Sequence, residues 1–347
     1  MGLRWWRGLA VAAIGIALAV TVARQPGNDS VLRTIPLAQT QTPVNMQIDT
    51  RTGRTFVATS GAGGGVATFD TRSGRALRRV PMPNPAVLLV DEQSGHVFVG
   101  DRGSGPATTY HLTMLDARSG IPLRRISIAG APEGMALDAH GARVYVAVTT
   151  YQCATWPACG GNSMSQIEVL DARGGQVLRA LAVPGQVAAV AVDGRRHLLI
   201  VVSNVSDTAS EIIVLDALSG HVTHVAPTPG YGLPQRAPLV DETTGRVFVA
   251  GSIFPGERVS VLDTESGRLV SAPRMAGWVA GMALDNQMGQ IFVADSGPLA
   301  PRVMVHGGVP IPLPPAPIGA GRVAVLDARS GRLRRTIPLT ASRPALL

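Results

Sequence analysis

Few of the residue types that perform catalysis stand at spacings that would let them act together. The chain has no His-Glu-x-x-His pair for zinc, no Gly-x-Ser-x-Gly nucleophile elbow and no Gly-x-x-x-x-Gly-Lys phosphate loop. The Gly61 to Gly65 run lacks the Lys that a phosphate loop needs and reads as a flexible connection between strands. None of the seven histidines is adjacent to another. His221 and His224, three apart in a strand, point to opposite faces and cannot chelate jointly, so they read as structural. Cys153 and Cys159 share one Gly- and Pro-containing segment. In an oxidising compartment such a pair is expected to form a local disulfide, whereas zinc would need more ligands than the segment offers. What remains is binding chemistry. Aromatic residues are 4% of the chain, so Tyr151, Trp156, Tyr231 and Trp278 stand out as contact residues, with Arg236 beside them in charge terms.

The elements that position these residues are short. Forty Gly and 26 Pro in 347 residues, 46% of them apolar, describe a globular all-β chain rich in turns. All 31 basic residues are Arg and the net charge is +8. The arginines recur at equivalent repeat positions, as in Arg78-Arg79, Arg124-Arg125 and Arg334-Arg335, instead of forming one stripe. They read as solvated surface, and no specific nucleic-acid partner is expected.

Arg4 and Arg7 precede an uncharged apolar run, Leu9 to Ala23, followed by Arg24-Gln25-Pro26-Gly27. That pattern directs export, to the periplasm or beyond the cell. The run is shorter than the roughly 20 residues of a spanning helix, which favours cleavage of a signal peptide over residues 1–27. The Trp5-Trp6 pair keeps an uncleaved anchor open, the one case in which membrane contact is expected.

Repetition at roughly 45 residues organises everything after that. The element Leu-Asp-x-x-Ser-Gly, or a near variant, ends at Gly74, Gly120, Gly175, Gly220, Gly267 and Gly331. It is a hairpin: the Asp carboxylate accepts backbone N–H groups and the Gly is free to take φ > 0. A second Asp-to-Gly turn lies upstream in most repeats, from Asp49 to Gly53, Asp91 to Gly95, Asp138 to Gly141, Asp241 to Gly245 and Asp285 to Gly289. The fourth repeat departs, with Asp193-Gly194 and then His197-Leu198-Leu199-Ile200. Each repeat therefore reads as four strands, and four strands per unit make a propeller blade. Six units run from about Pro43 to Leu339 in a single domain, 28–347. Val31 to Leu37, nearly a copy of Leu333 to Leu339, stands outside that count and leaves a degenerate seventh blade open.

Strands such as Arg246-Val-Phe-Val-Ala250, followed by Val259-Ser-Val-Leu-Asp263 and Ser266-Gly267, resemble the YVTN β-propeller repeats of exported prokaryotic proteins. The resemblance covers about residues 31 to 339 and implies a scaffold, not a reaction. Two segments interrupt it, 149–165 and the Pro-rich 297–321, and loops inserted on a rigid scaffold commonly carry function. The bland reading of the Pro-rich segment is an extended surface loop. Both segments fall between the second and third strands of their blades, on the face that also receives the connections into each inner strand. That face, with Tyr151, Trp156, Tyr231, Arg236 and Trp278, is the expected site for a protein or small-molecule ligand, and no cofactor is expected. Propeller lactonases suggest an alternative: Ca²⁺ or another divalent cation held by Glu133, Asn204, Asp207 and Asp295 in a hydrolase. Quinone dehydrogenase propellers follow a similar Asp-x-x-Ser/Thr-Gly motif with a blade-docking Trp, which no repeat here has.

Overall fold

Alternating β-branched and aromatic residues bounded by Asp-to-Gly turns give strands throughout. The computed structural model describes residues 41–103, 109–151, 163–206, 209–228, 237–252, 257–297, 299–306, 309–317 and 321–339. Blade 1 is β1 (Gln41–Asp49), β2 (Arg54–Gly61), β3 (Gly65–Asp70) and β4 (Ala76–Pro81). Blade 2 is β5 (Pro85–Asp91), β6 (His96–Asp101), β7 (His111–Asp116) and β8 (Pro122–Ser127). Blade 3 is β9 (Ala131–Asp138), β10 (Arg143–Tyr151), β11 (Ser163–Asp171) and β12 (Val177–Ala182). Blade 4 is β13 (Gln186–Asp193), β14 (Leu198–Ser206), β15 (Ala209–Asp216) and β16 (Val222–Pro227). Blade 5 is β17 (Leu239–Asp241), β18 (Arg246–Ser252), β19 (Glu257–Asp263) and β20 (Leu269–Ser271). Then come β21 (Val279–Asp285) and β22 (Gln290–Asp295), a ribbon of β23 (Leu299–His306) and β24 (Val309–Pro317), and β25 (Arg322–Asp327) and β26 (Leu333–Pro338). Blade 6 has the order β21-β22-β25-β26, so the ribbon is inserted between its second and third strands. All six sheets are antiparallel and follow chain order.

The chain divides into two compact units, Met1–Ala131 and Pro132–Leu347. In the first, Phe56, Ala58 and Val66 of blade 1 pack on Leu88, Val97, Val99 and Leu115 of blade 2. In the second, Tyr145 and Ile167 of blade 3 meet Leu199, Val201 and Ile213 of blade 4. Ile200 and Ile212 then meet Val247 and Leu262 of blade 5, and Phe248 and Val261 meet Ile291, Val293 and Leu326 of blade 6. A period-2 strand buries both of its faces this way, which is why the β2-type and β3-type strands read as near-continuous apolar runs.

The turns carry the polar half of the fold. In these hairpins the Asp accepts both the N–H and the hydroxyl of the Ser three residues on, at 2.8 and 2.6 Å for Asp70 and Ser73, and 2.7 and 2.6 Å for Asp116 and Ser119, except in blade 3, where Asp171 accepts the N–H of Gly174. These bonds stabilise the ionised form, so hydrogen bonds from Ser73, Ser119, Ser219 and Ser330 hold Asp70, Asp116, Asp216 and Asp327 below the usual carboxylate range. Upstream, the fifth residue of each turn has φ > 0: Gly53, Gly95, Gly245 and Gly289 where the sequence offers Gly, but Ala142 (49°) and His197 (54°) in blades 3 and 4. The expected Gly141 turn is thus one residue out. Tertiary bonding imposes the conformation: the carbonyls of Gly53, Gly95, Ala142, His197, Gly245 and Gly289 each accept an N–H from the second hairpin of the same blade.

Blades 1 and 2, and blades 4 and 5, are stitched at these turns. Thr50 donates its N–H and hydroxyl to Glu92 of blade 2 at 2.6 and 2.8 Å, and Gly194 donates its N–H to Glu242 of blade 5 at 2.9 Å. Arg51 and Arg196 each reach the following blade's Glu carbonyl, at 2.8 and 2.7 Å. His224, expected to be structural, contacts the Glu265 carbonyl at 2.6 Å.

Both inserted segments differ from expectation. Thr149 to Tyr151 and Ser163 to Ser165 are paired strand, so the first insertion is shorter than 149–165. The physical reason is polar satisfaction: buried Thr149 and Ser165 share a hydroxyl bond of 2.9 Å, and Ser165 also accepts the Val187 N–H. Within the Pro-rich segment, 299–306 and 309–317 pair as a two-stranded ribbon where an extended loop was expected. The N-terminal segment 1–27, Val31 to Leu37, Cys153, Trp156, Cys159, Asp207, Tyr231 and Arg236 lie outside the described residues, as does the side chain of Tyr151.

Candidate functional site

Trp278 sits on the connection from β20 to β21. A loop with free amides would wander. Here every N–H from residue 275 to 279 is taken. Met275 donates to the Glu257 carbonyl at 2.8 Å, Ala276 and Gly277 to the two oxygens of Asp295 at 2.8 Å each, and Trp278 to the Ser296 hydroxyl at 2.8 Å. Val279 donates to the Glu257 carboxylate. Ser296 returns its own N–H to the Trp278 carbonyl at 2.9 Å, and Arg258 holds the Ala272 carbonyl at 3.0 Å. Gly277 is required by close approach: a Cβ there would collide with the Gly297 carbonyl and the Ser296 hydroxyl.

Asp295 organises this platform. It is 2% exposed, closes β22, and accepts four donors: the amides of Ala276, Gly277 and Gly297 and the Arg322 guanidinium at 2.9 Å. A buried carboxylate is tolerated only when compensated in this way. Trp278 itself is half-buried, with Arg274 exposed four residues before it. A partly exposed indole on a backbone held in this way can stack on a flat or apolar group with little backbone entropy lost on binding.

The same strand end is used in blade 2. Asp101 accepts the amides of Asn84 (3.1 Å) and Gly103 (2.8 Å), and His111 lies opposite it in the ladder, where blade 6 has Arg322. Burial, reinforced by Arg125, pushes the His111 imidazole below its usual range against the pull of Asp101. A backbone hydrogen bond at Ile126 also opposes the shift. In blade 4 the register puts Ser203 at the equivalent position, where its hydroxyl donates to the Pro184 carbonyl at 2.6 Å, and Asn204, the next residue, accepts the Ser210 hydroxyl at 2.7 Å. The sequence repeats the motif visibly, as Phe98-Val-Gly-Asp-Arg-Gly103 and Phe292-Val-Ala-Asp-Ser-Gly297. The roles of Ser296, Glu257 and Gly277 carry no such signal.

Of the four oxygen ligands considered for a divalent cation, Glu133 lies on β9, Asn204 on β14 and Asp295 on β22. Both Asp295 oxygens are already occupied by protein donors, so this residue does not fit as a ligand. Among the described residues no group of three or more His, Cys, Asp or Glu is placed to hold a metal ion.

Six consecutive four-stranded antiparallel sheets place the chain in the class of six-bladed β-propellers. Among solved structures it is similar to a chain of Kuenenia stuttgartiensis hydrazine synthase, with 14% identity, a TM-score of 0.62 and coverage of 89% of this chain and 90% of that one. It is also similar to a chain of a nidogen/laminin complex, with 14% identity, a TM-score of 0.50 and coverage of 82% and 93%. At these identities the likeness is one of fold. No family model and no curated protein matches the sequence.

Proposed function

We propose that the chain is an exported binding or scaffold propeller of the YVTN kind, which presents the Trp278 platform to a protein or small-molecule ligand. The observation that carries this reading is the run of five satisfied amides under a half-buried tryptophan. Such a surface is organised before any ligand arrives, and that lowers the entropic cost of capture. A scaffold role is supported at the coarse level by the propeller fold itself.

The test is native mass spectrometry on protein purified from the exported fraction. A co-purifying mass that is lost in Trp278→Ala, while the unfolding midpoint is unchanged, supports the platform. Equal capture by the variant refutes it. A retained stoichiometric divalent ion would favour the lactonase-like hydrolase, which would have to hold the ion without Asp295.

A further inference from the structure

The β23–β24 ribbon forms a sheet of two strands, and neither strand pairs with a third among the described residues. Two-stranded ribbons are marginally stable in water, and their edges offer unpaired N–H and C=O groups. Here the two edges are not equivalent. The register pairs Val305 with Pro310, Met304 with Ile311, Val303 with Pro312 and Arg302 with Leu313. Proline has no N–H, so Pro310 and Pro312 stand at the pairs that exchange no hydrogen bond, and their missing donors belong to the outer edge of β24. Pro301 meets Pro314-Pro315 where the register shifts, between Ala300 and Arg302. The outer edge of β24 is therefore stripped of donors. On β23 the residues in the matching outward positions are Val303 and Val305, which keep both N–H and C=O.

We propose that this one open edge pairs with the β23 edge of a second copy of the chain. Placed antiparallel about a two-fold axis at Met304, Val303 of each copy faces Val305 of the other, and each such pair exchanges both main-chain hydrogen bonds. The product is a four-stranded sheet whose two outer strands are both β24. Prolines terminate it on each side, so association closes at the dimer instead of propagating. Charge does not oppose the approach: Arg302 is the sole Arg, Asp or Glu in 299–306, and 309–317 contains none. The occupant that fits is thus another β23, whose edge has the same spacing of donors and acceptors.

The experiment is light scattering coupled to size exclusion on the protein from the exported fraction, over a concentration series, for the natural chain and for Val303→Pro and Val305→Pro. Each substitution removes an outward N–H and leaves the bonds between β23 and β24 in place. The natural chain should run at twice the mass of one chain, and each variant should run at half that, with an unchanged unfolding midpoint. A natural chain that is monomeric throughout, or variants that dimerise as well as it does, would overturn the proposal. Hydrogen exchange of the natural protein gives a reading that is independent of variant folding. The Val303 and Val305 amides should be protected in the dimer, and exchange at the rate of open chain would refute the pairing.

Discussion

Replacing Asp295 with Ala would remove the acceptor of four donors at once. The Arg322 side chain is 33% exposed and can turn to water, so its loss counts for little. The amides of Gly277 and Gly297 are buried, and each orphaned buried donor costs about 1–3 kcal/mol. The Ala276 amide lies in a part-buried position and regains water more easily. We expect a loss of about 3–5 kcal/mol for Asp295→Ala, in the range seen when one member of a buried charged network is removed. Asp295→Asn keeps one acceptor oxygen and should lose roughly half as much, and Arg322→Ala about 1 kcal/mol or less. Urea unfolding with comparison of midpoints at constant slope measures the ranking. Hydrogen exchange locates it, because protection should fall first at residues 275–279. A loss below about 1 kcal/mol for Asp295→Ala, or unchanged protection there, would show that the carboxylate does not hold the platform.

Two further results are expected. Ala142→Gly and His197→Gly should each stabilise the protein by about 0.5–1 kcal/mol: a left-handed L-residue costs about 1–2 kcal/mol, and added glycine entropy returns part of the gain. Lower urea midpoints in both variants would contradict the assignment of those positions. The lowered His111 pKa means that the unfolded chain binds the proton more readily. Stability tied to this group is therefore present above about pH 6.5 and falls as pH drops through the folded-state value. His111→Gln should flatten the stability profile between about pH 7 and 5, and an unchanged slope would exclude His111 as its source.

Local chemistry made the blades legible from the residues alone. The Asp70 to Gly74 hairpin and its five counterparts are closed by bonds spanning three or four residues, so Asp, Ser and Gly at fixed spacing specify them without reference to the rest of the chain. The strands between them follow from alternation, and four per repeat define the fold class. Other features depend on partners far away in sequence. Ala142 and His197 adopt φ > 0 because their carbonyls meet Ala172 and Ala217, and neither residue type announces that conformation. The prolines of 309–317 read as loop-forming, yet the register puts Pro310 and Pro312 where a strand needs no donor. Trp278 was visible as a rare aromatic, but its support from Glu257, Asp295 and Ser296 joins residues 18 to 22 positions away, between strands that only packing brings together. The sequence by itself thus determined turns, strands and the four-stranded repeating unit, where the stabilising bonds are local. The tertiary structure alone decided which amides Asp295 satisfies and which ribbon edge stays open, because those depend on where distant backbone groups come to lie.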